Sequence, residues 1–132
     1  MSTSGTTGSG LAEEHESLWV LVASPTIWAA HFLLSYGTAA IWCAKAADPD
    51  QSLDPVRVAI AVFTAVALVA IGVVGRRGWK SHALAPSEPP HDVDTPQDRH
   101  RFLGFATLLL SGLSAIAVLY ETLAAVFIGT CR

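Results

Sequence analysis

LWVLVASPTIWAAHFLLSYGTAAIWCAK, residues 18–45, is the stretch whose reading decides the fold. It is long and apolar enough to cross a bilayer, and its polar residues are ordered. Ser24, Trp28, His31, Ser35, Thr38 and Trp42 follow one another at steps of three and four, which places all six on one face of a helix. Ile27, Leu34 and Ile41 share another face that suits lipid. His31 stands near the middle of the span, and an ionisable side chain at that depth marks a candidate functional site.

The rest of the chain repeats the theme. Of its 132 residues 52% are hydrophobic and 14% charged, against a usual charged share of about a quarter. Mean hydropathy is +0.45. The apolar residues fall into three blocks, each near the roughly 20 residues that cross about 30 Å of hydrocarbon. The fold class expected is an all-α membrane protein with three transmembrane helices in a small bundle. A net charge of −3 gives no sign of a nucleic-acid partner.

Residues 1–17 open with MSTSGTTGSG and continue with Glu13, Glu14 and Glu16. Such a polar segment buries too little surface to order itself, so a disordered start is expected. It lacks the basic start and small-residue cleavage site of a secretory signal, so the first block is expected to remain as a membrane helix. Pro25 falls in the first turns of that span, where a missing backbone donor is tolerated.

Residues 46–55, AADPDQSLDP, form a turn short enough to make the second span an antiparallel neighbour. That span, Val56 to Gly75, carries little polar chemistry beyond Thr64. Ala61, Ala65, Leu68, Gly72 and Gly75 line up as a mostly small face for close helix approach. Residues 76–101 are expected as a polar, proline-containing cytoplasmic loop. Within it His91, Asp92, Asp94, Asp98 and His100 raise the thought of a metal site, but a hydrated loop accounts for them and no metal is assigned. Asp94, Thr95 and Pro96 read as a helix start. The third span, Phe102 to Gly129, bears a second stripe: Gly104, Thr107, Ser111, Ser114, Val118, Glu121 and Ala125. Two stripes of small and polar residues are expected to meet each other or a partner.

Arg76, Arg77, Lys80, Arg99 and Arg101 cluster on one side of the membrane, with Lys45, Arg57 and Arg132 on the other. The positive-inside rule then puts the N-terminus in the cytoplasm and the C-terminus in the periplasm of a bacterial inner membrane. Three spans bring Cys43 and Cys131 to the same, oxidising surface, so a disulfide between them is expected. Two unpaired thiols, or a Cu(I) site from the pair, are the alternatives.

When the centres of spans one and three are set level, Glu121 lies about five or six residues outward of His31, roughly 8 Å. A direct salt bridge is then a stretch, while a chain through Ser35, Thr38 or a water is within reach. These residues admit a structural role in the bundle or toward a partner, a proton relay, or axial haem ligation by His31. Haem would need a second histidine, which no span supplies, so no cofactor is expected. No nucleophile–base pair, phosphate loop or zinc spacing is present, which argues against an enzyme.

SPTIWAAHFLLSYGTAAIWCAK and DTPQDRHRFLGFATLLLSGLSAIAVLY resemble small bacterial inner-membrane proteins that accompany haem–copper terminal oxidases and their assembly factors. The resemblance spans most of the chain after residue 17 and carries no catalytic residues. It implies a non-catalytic accessory subunit or assembly factor of a respiratory complex. Such a protein binds other integral membrane subunits through the two polar seams. The alternatives are a homo-oligomeric transporter or proton-coupled protein using Glu121 and His31, and a haem-binding electron carrier through His31.

Overall fold

The computed structural model describes residues 3–46, 48, 50–83 and 96–131. Three helices make up the fold: α1 (Thr3–Lys45), α2 (Asp54–Ala83) and α3 (Pro96–Phe127). Each holds a segment of membrane-crossing length and apolarity: Leu18–Lys45, Asp54–Lys80 and Arg101–Phe127. The three-helix membrane bundle expected from the sequence is the observed fold. α1 and α3 run parallel, with α2 antiparallel between them in sequence, and α3 packs more extensively on α2 than on α1.

Several boundaries differ from those read in the sequence. Helix α1 is assigned from Thr3, ahead of the membrane-length segment that begins at Leu18. Helix α2 continues eight residues past Gly75, whereas α3 begins at Pro96, the first helical position read from the sequence. The region 76–101 therefore contributes helical turns on both sides. At the other end α3 stops at Phe127, short of Gly129. Residues 84–95, with His91, Asp92 and Asp94, lie outside the described residues. Pro25 sits inside α1, and Thr26 beside it donates its hydroxyl to the Val22 carbonyl of the preceding turn at 2.8 Å.

The α3 stripe packs as read: Gly104, Thr107, Ser111, Ser114 and Val118 are buried, while Glu121 and Ala125 are half-buried. The small-residue face of α2 packs only in part, through Leu68 against the Ala67–Ile71–Val118 cluster and Gly75 against Ser111. Ala61, Ala65 and Gly72 are exposed, and a Cβ on Gly72 would meet nothing within 4 Å. The face of α2 that is buried carries Val56, Ile60, Thr64, Ala67, Ile71 and Gly78. Its larger aliphatics fill the space between α1 and α3, where dispersion contacts supply the packing. Ile27, read as lipid-facing, is partly buried against Ala67, Ile71 and Val118; Leu34 and Ile41 do face outward.

The end of the bundle that carries both cysteines is fastened in several ways. Cys43 and Cys131 form a disulfide, with Cα atoms 5.6 Å apart. Leu53, Val56 and Ile60 pack with Trp42 and both cysteines. Ser52 and Thr130 make an isolated antiparallel bridge. Arg57 donates from Nη2 to the carbonyls of Val126 at 2.7 Å and Ile128 at 3.1 Å, capping orphan acceptors at the negative end of α3.

Candidate functional site

The middle of the bundle holds a polar network joining all three helices. His31 is 2% exposed. Its Nδ1 lies 3.0 Å from Glu121 Oε2 and its Nε2 3.0 Å from Thr64 Oγ1. Trp28 donates its indole N–H to Glu121 Oε1 at 2.8 Å. Thr64 Oγ1 is within 2.7 Å of the Ile60 carbonyl and 2.8 Å of Thr122 Oγ1, which in turn lies 2.8 Å from the Val118 carbonyl. Toward the other face, the hydroxyls of Ser24 and Ser111 bond each other at 2.7 Å, both buried.

The direct His31–Glu121 contact corrects the expectation that depth would keep the two apart. The parallel helices are not aligned centre to centre. Ser24 pairs with Ser111, His31 with Glu121 and Cys43 with Cys131, at sequence separations of 87, 90 and 88. Levelling span centres implies a separation several residues smaller. Sliding α3 by about four residues moves Glu121 inward by roughly 6 Å, and the two side chains cover the remainder.

Donors and acceptors in this network constrain one another. An ionised Glu121 only accepts, so Nδ1 of His31 donates to it. Thr64 has one hydroxyl proton and three oxygen or nitrogen neighbours. It either donates to Nε2 or, with its proton on the Ile60 carbonyl, accepts from it. Both ring nitrogens are engaged in either arrangement. An iron would have to displace Thr64 or Glu121, so the site does not fit axial haem ligation by His31. The cysteines, being bonded to each other, offer no thiolate for Cu(I).

The other residues of the α1 stripe behave differently. Thr38 donates to the Leu34 carbonyl of its own helix at 2.6 Å, and Thr107 likewise to Leu103 at 2.8 Å. The Ser35 hydroxyl and the Trp42 indole nitrogen are buried without a partner among the described residues. Ser35 lines a cavity of about 240 Å³ that is open to the surface, together with Phe32, Tyr36, Arg57, Glu121 and Ile128. The rings of Phe32 and Tyr36 stack with centroids 6.1 Å apart. Glu121, its side chain 22% exposed, is therefore reached from this cavity as well as from His31.

Sequence reasoning missed Thr64 and Thr122 as members of the site. Thr64 was legible as the lone polar residue of α2's span. Thr122, next to Glu121 and off the stripe, gave no signal. Compared with protein-family models, curated proteins and solved structures, this chain matches none, so the arrangement itself carries the functional argument.

Proposed function

We propose that this protein is a non-catalytic accessory subunit or assembly factor that binds other integral membrane subunits. The observation that carries the proposal is the commitment of both His31 nitrogens within the chain. Residues that looked poised for chemistry serve to hold three helices together in a solvent that gives no hydrophobic drive between them. With the seams of α1 and α3 turned toward each other, the partner surface is the lipid-facing exterior. The resemblance to proteins that accompany haem–copper oxidases makes a terminal-oxidase-type respiratory complex the proposed partner. The bacterial inner membrane, with the C-terminus on the periplasmic side, is the proposed location. The clustered basic residues near 76–101 and the Cys43–Cys131 disulfide at the opposite end support it.

The test is purification of the tagged protein in a gentle detergent, with a visible spectrum and identification of co-purifying chains. A stoichiometric set of respiratory subunits, with any haem assigned to them, is the expected result. A colourless protein without partners overturns the proposal. It would favour a second reading, a homo-oligomeric proton-coupled transporter, which rests on the exposure of Glu121 to the cavity beside Ser35.

A further inference from the structure

The bundle contacts fix how deep the arginines of α2 lie. Ser24 and Ser111 are hydrogen-bonded, and a Cβ on Gly75 would sit 3.4 Å from Ser111 Cβ. Ser24, Gly75 and Ser111 therefore share a level. Ser24 is seven residues along α1 from His31, roughly 10 Å, and His31 is central in the Leu18–Lys45 span. Arg76 and Arg77 stand one and two residues beyond Gly75, roughly 12–14 Å from the mid-level. The hydrocarbon half-thickness is about 15 Å, so both backbone positions fall inside its edge.

The tryptophans mark the interface independently. Trp19, five residues beyond Ser24, and Trp79, four beyond Gly75, reach the same level and are 74% and 57% exposed. Both arginines start on the hydrocarbon side of this belt. Helical side chains also tilt toward their helix's N-terminus. For α2 that end is across the membrane, so Arg76 and Arg77 set out toward the bilayer interior and have to turn back.

Among the described residues no carboxylate is paired with these cations. His31–Glu121 and Arg57–Asp54 are ion pairs of the bundle, and neither involves Arg76, Arg77 or Lys80. Arg76, Arg77 and Lys80 are exposed. Gly75 and Gly78 turn the opposite side of this helix segment onto α3, with Gly78 against Gly104 and Thr107. Arg76, Trp79 and Lys80 stand at i, i+3 and i+4 on the side away from that contact, with Arg77 adjoining.

We propose that Arg76, Arg77 and Lys80, flanked by Trp79, bind the phosphate of an acidic glycerophospholipid drawn slightly below the headgroup plane. An anion at that depth satisfies guanidinium donors that are paired with no carboxylate among the described residues. Three positive charges select a lipid of net negative charge over a zwitterionic one, whose ammonium they repel. This inference does not depend on the identity of any protein partner.

The test uses the full chain in nanodiscs of phosphatidylcholine with a minority of phosphatidylglycerol, extracted into mild detergent. Retained lipids are counted by native mass spectrometry. Phosphatidylglycerol should be enriched roughly tenfold over its share of the bilayer. Arg76→Gln/Arg77→Gln/Lys80→Gln should bring the ratio close to that of the bilayer. Arg76→Lys/Arg77→Lys should keep most of it, and so should Lys45→Gln at the far membrane face. Should the triple variant fail to yield folded protein, Arg76→Gln and Arg77→Gln singly should each show partial loss. Retention of both lipids at the bilayer ratio by the wild type would overturn the proposal. So would undiminished enrichment in the glutamine variants. Displacement of the lipid by inorganic phosphate would assign the site to a free anion and overturn the lipid assignment.

Discussion

Replacing His31 and Glu121 separately and together measures whether the central network holds the bundle. His31→Leu deletes the contacts to Glu121 and Thr64, both 3.0 Å, and leaves the carboxylate with Trp28 alone. Hydrogen bonds between membrane helices contribute about 0.6 kcal/mol on average and up to about 1.7. A buried group left unsatisfied adds about 1–3 kcal/mol. Discounted because Glu121 retains 22% side-chain exposure, the single change should destabilise by about 2–4 kcal/mol. Glu121→Leu strands Trp28 Nε1 and His31 Nδ1 and should lose about 2–3 kcal/mol by the same reckoning. The double variant removes both partners together and leaves fewer unpaired groups. Its loss should fall short of the sum by about 1–2 kcal/mol, the signature of direct contact. The assay is reversible unfolding in mixed micelles of rising dodecyl sulfate fraction, followed by circular dichroism with the disulfide intact. Additivity within about 0.5 kcal/mol would refute the contact and with it the structural role assigned to the pair.

Three further changes probe the frame around that network. At Gly78 an added Cβ would lie 3.0 Å from the Gly104 carbonyl oxygen and 3.1 Å from Thr107 Cγ2. Gly78→Ala should therefore cost about 1–3 kcal/mol in the same titration, while Gly72→Ala, with open space around it, should be near neutral. Equal losses would defeat this account of the α2–α3 crossing. The disulfide closes a sequence separation of 88, and Cys43→Ser should cost about 2–4 kcal/mol. Thiol labelling of the wild type should rise sharply after reductant, and labelling that is already complete before it would contradict the bridge. Arg57→Ala removes the donor to Val126 and Ile128 and should speed amide exchange in the last turn of α3 by roughly tenfold, equivalent to about 1.4 kcal/mol. Unchanged exchange there would show that the cap is not needed.

Much of this architecture was legible because a bilayer leaves the backbone few choices. Three apolar blocks gave three helices, and the three-and-four spacing of Thr107, Ser111, Ser114 and Val118 named a face that is in fact buried. The same spacing misled on α2. Ala61, Ala65 and Gly72 have the look of a packing face, yet Val56, Ile60, Thr64 and Ile71 face the other helices. Small residues permit close approach without compelling it, and a third helix wedged between two others gains more from filling volume. Periodicity is silent on which of two periodic faces turns inward. Partners are harder still: Thr38 and Thr107 lie on the predicted stripes but bond to carbonyls of their own helices, an option that every membrane threonine has.

The register between α1 and α3 was also written in the sequence, in the cysteines. Once Cys43 and Cys131 are taken as bonded, parallel helices level residue i of α1 with residue i+88 of α3. That rule puts Ser24 opposite residue 112 and His31 opposite residue 119, one and two residues from their observed partners Ser111 and Glu121. Two residues amount to roughly 3 Å of rise, well within the reach of an imidazole and a glutamate. Span centres make a poorer ruler, because a helix can overhang the hydrocarbon at one end. Here α3 does so at its start, where Arg101 lies ten residues before Ser111 while the Trp19 and Trp79 belt lies only four or five from Ser111's level. A covalent link between two helices is thus a statement about every level below it. It follows that Cys43→Ser alone should leave His31 and Glu121 paired, since the Ser24–Ser111 hydrogen bond holds the same register without it. Loss of the His31–Glu121 coupling energy in a Cys43→Ser background would show instead that the disulfide imposes a contact the helices do not choose.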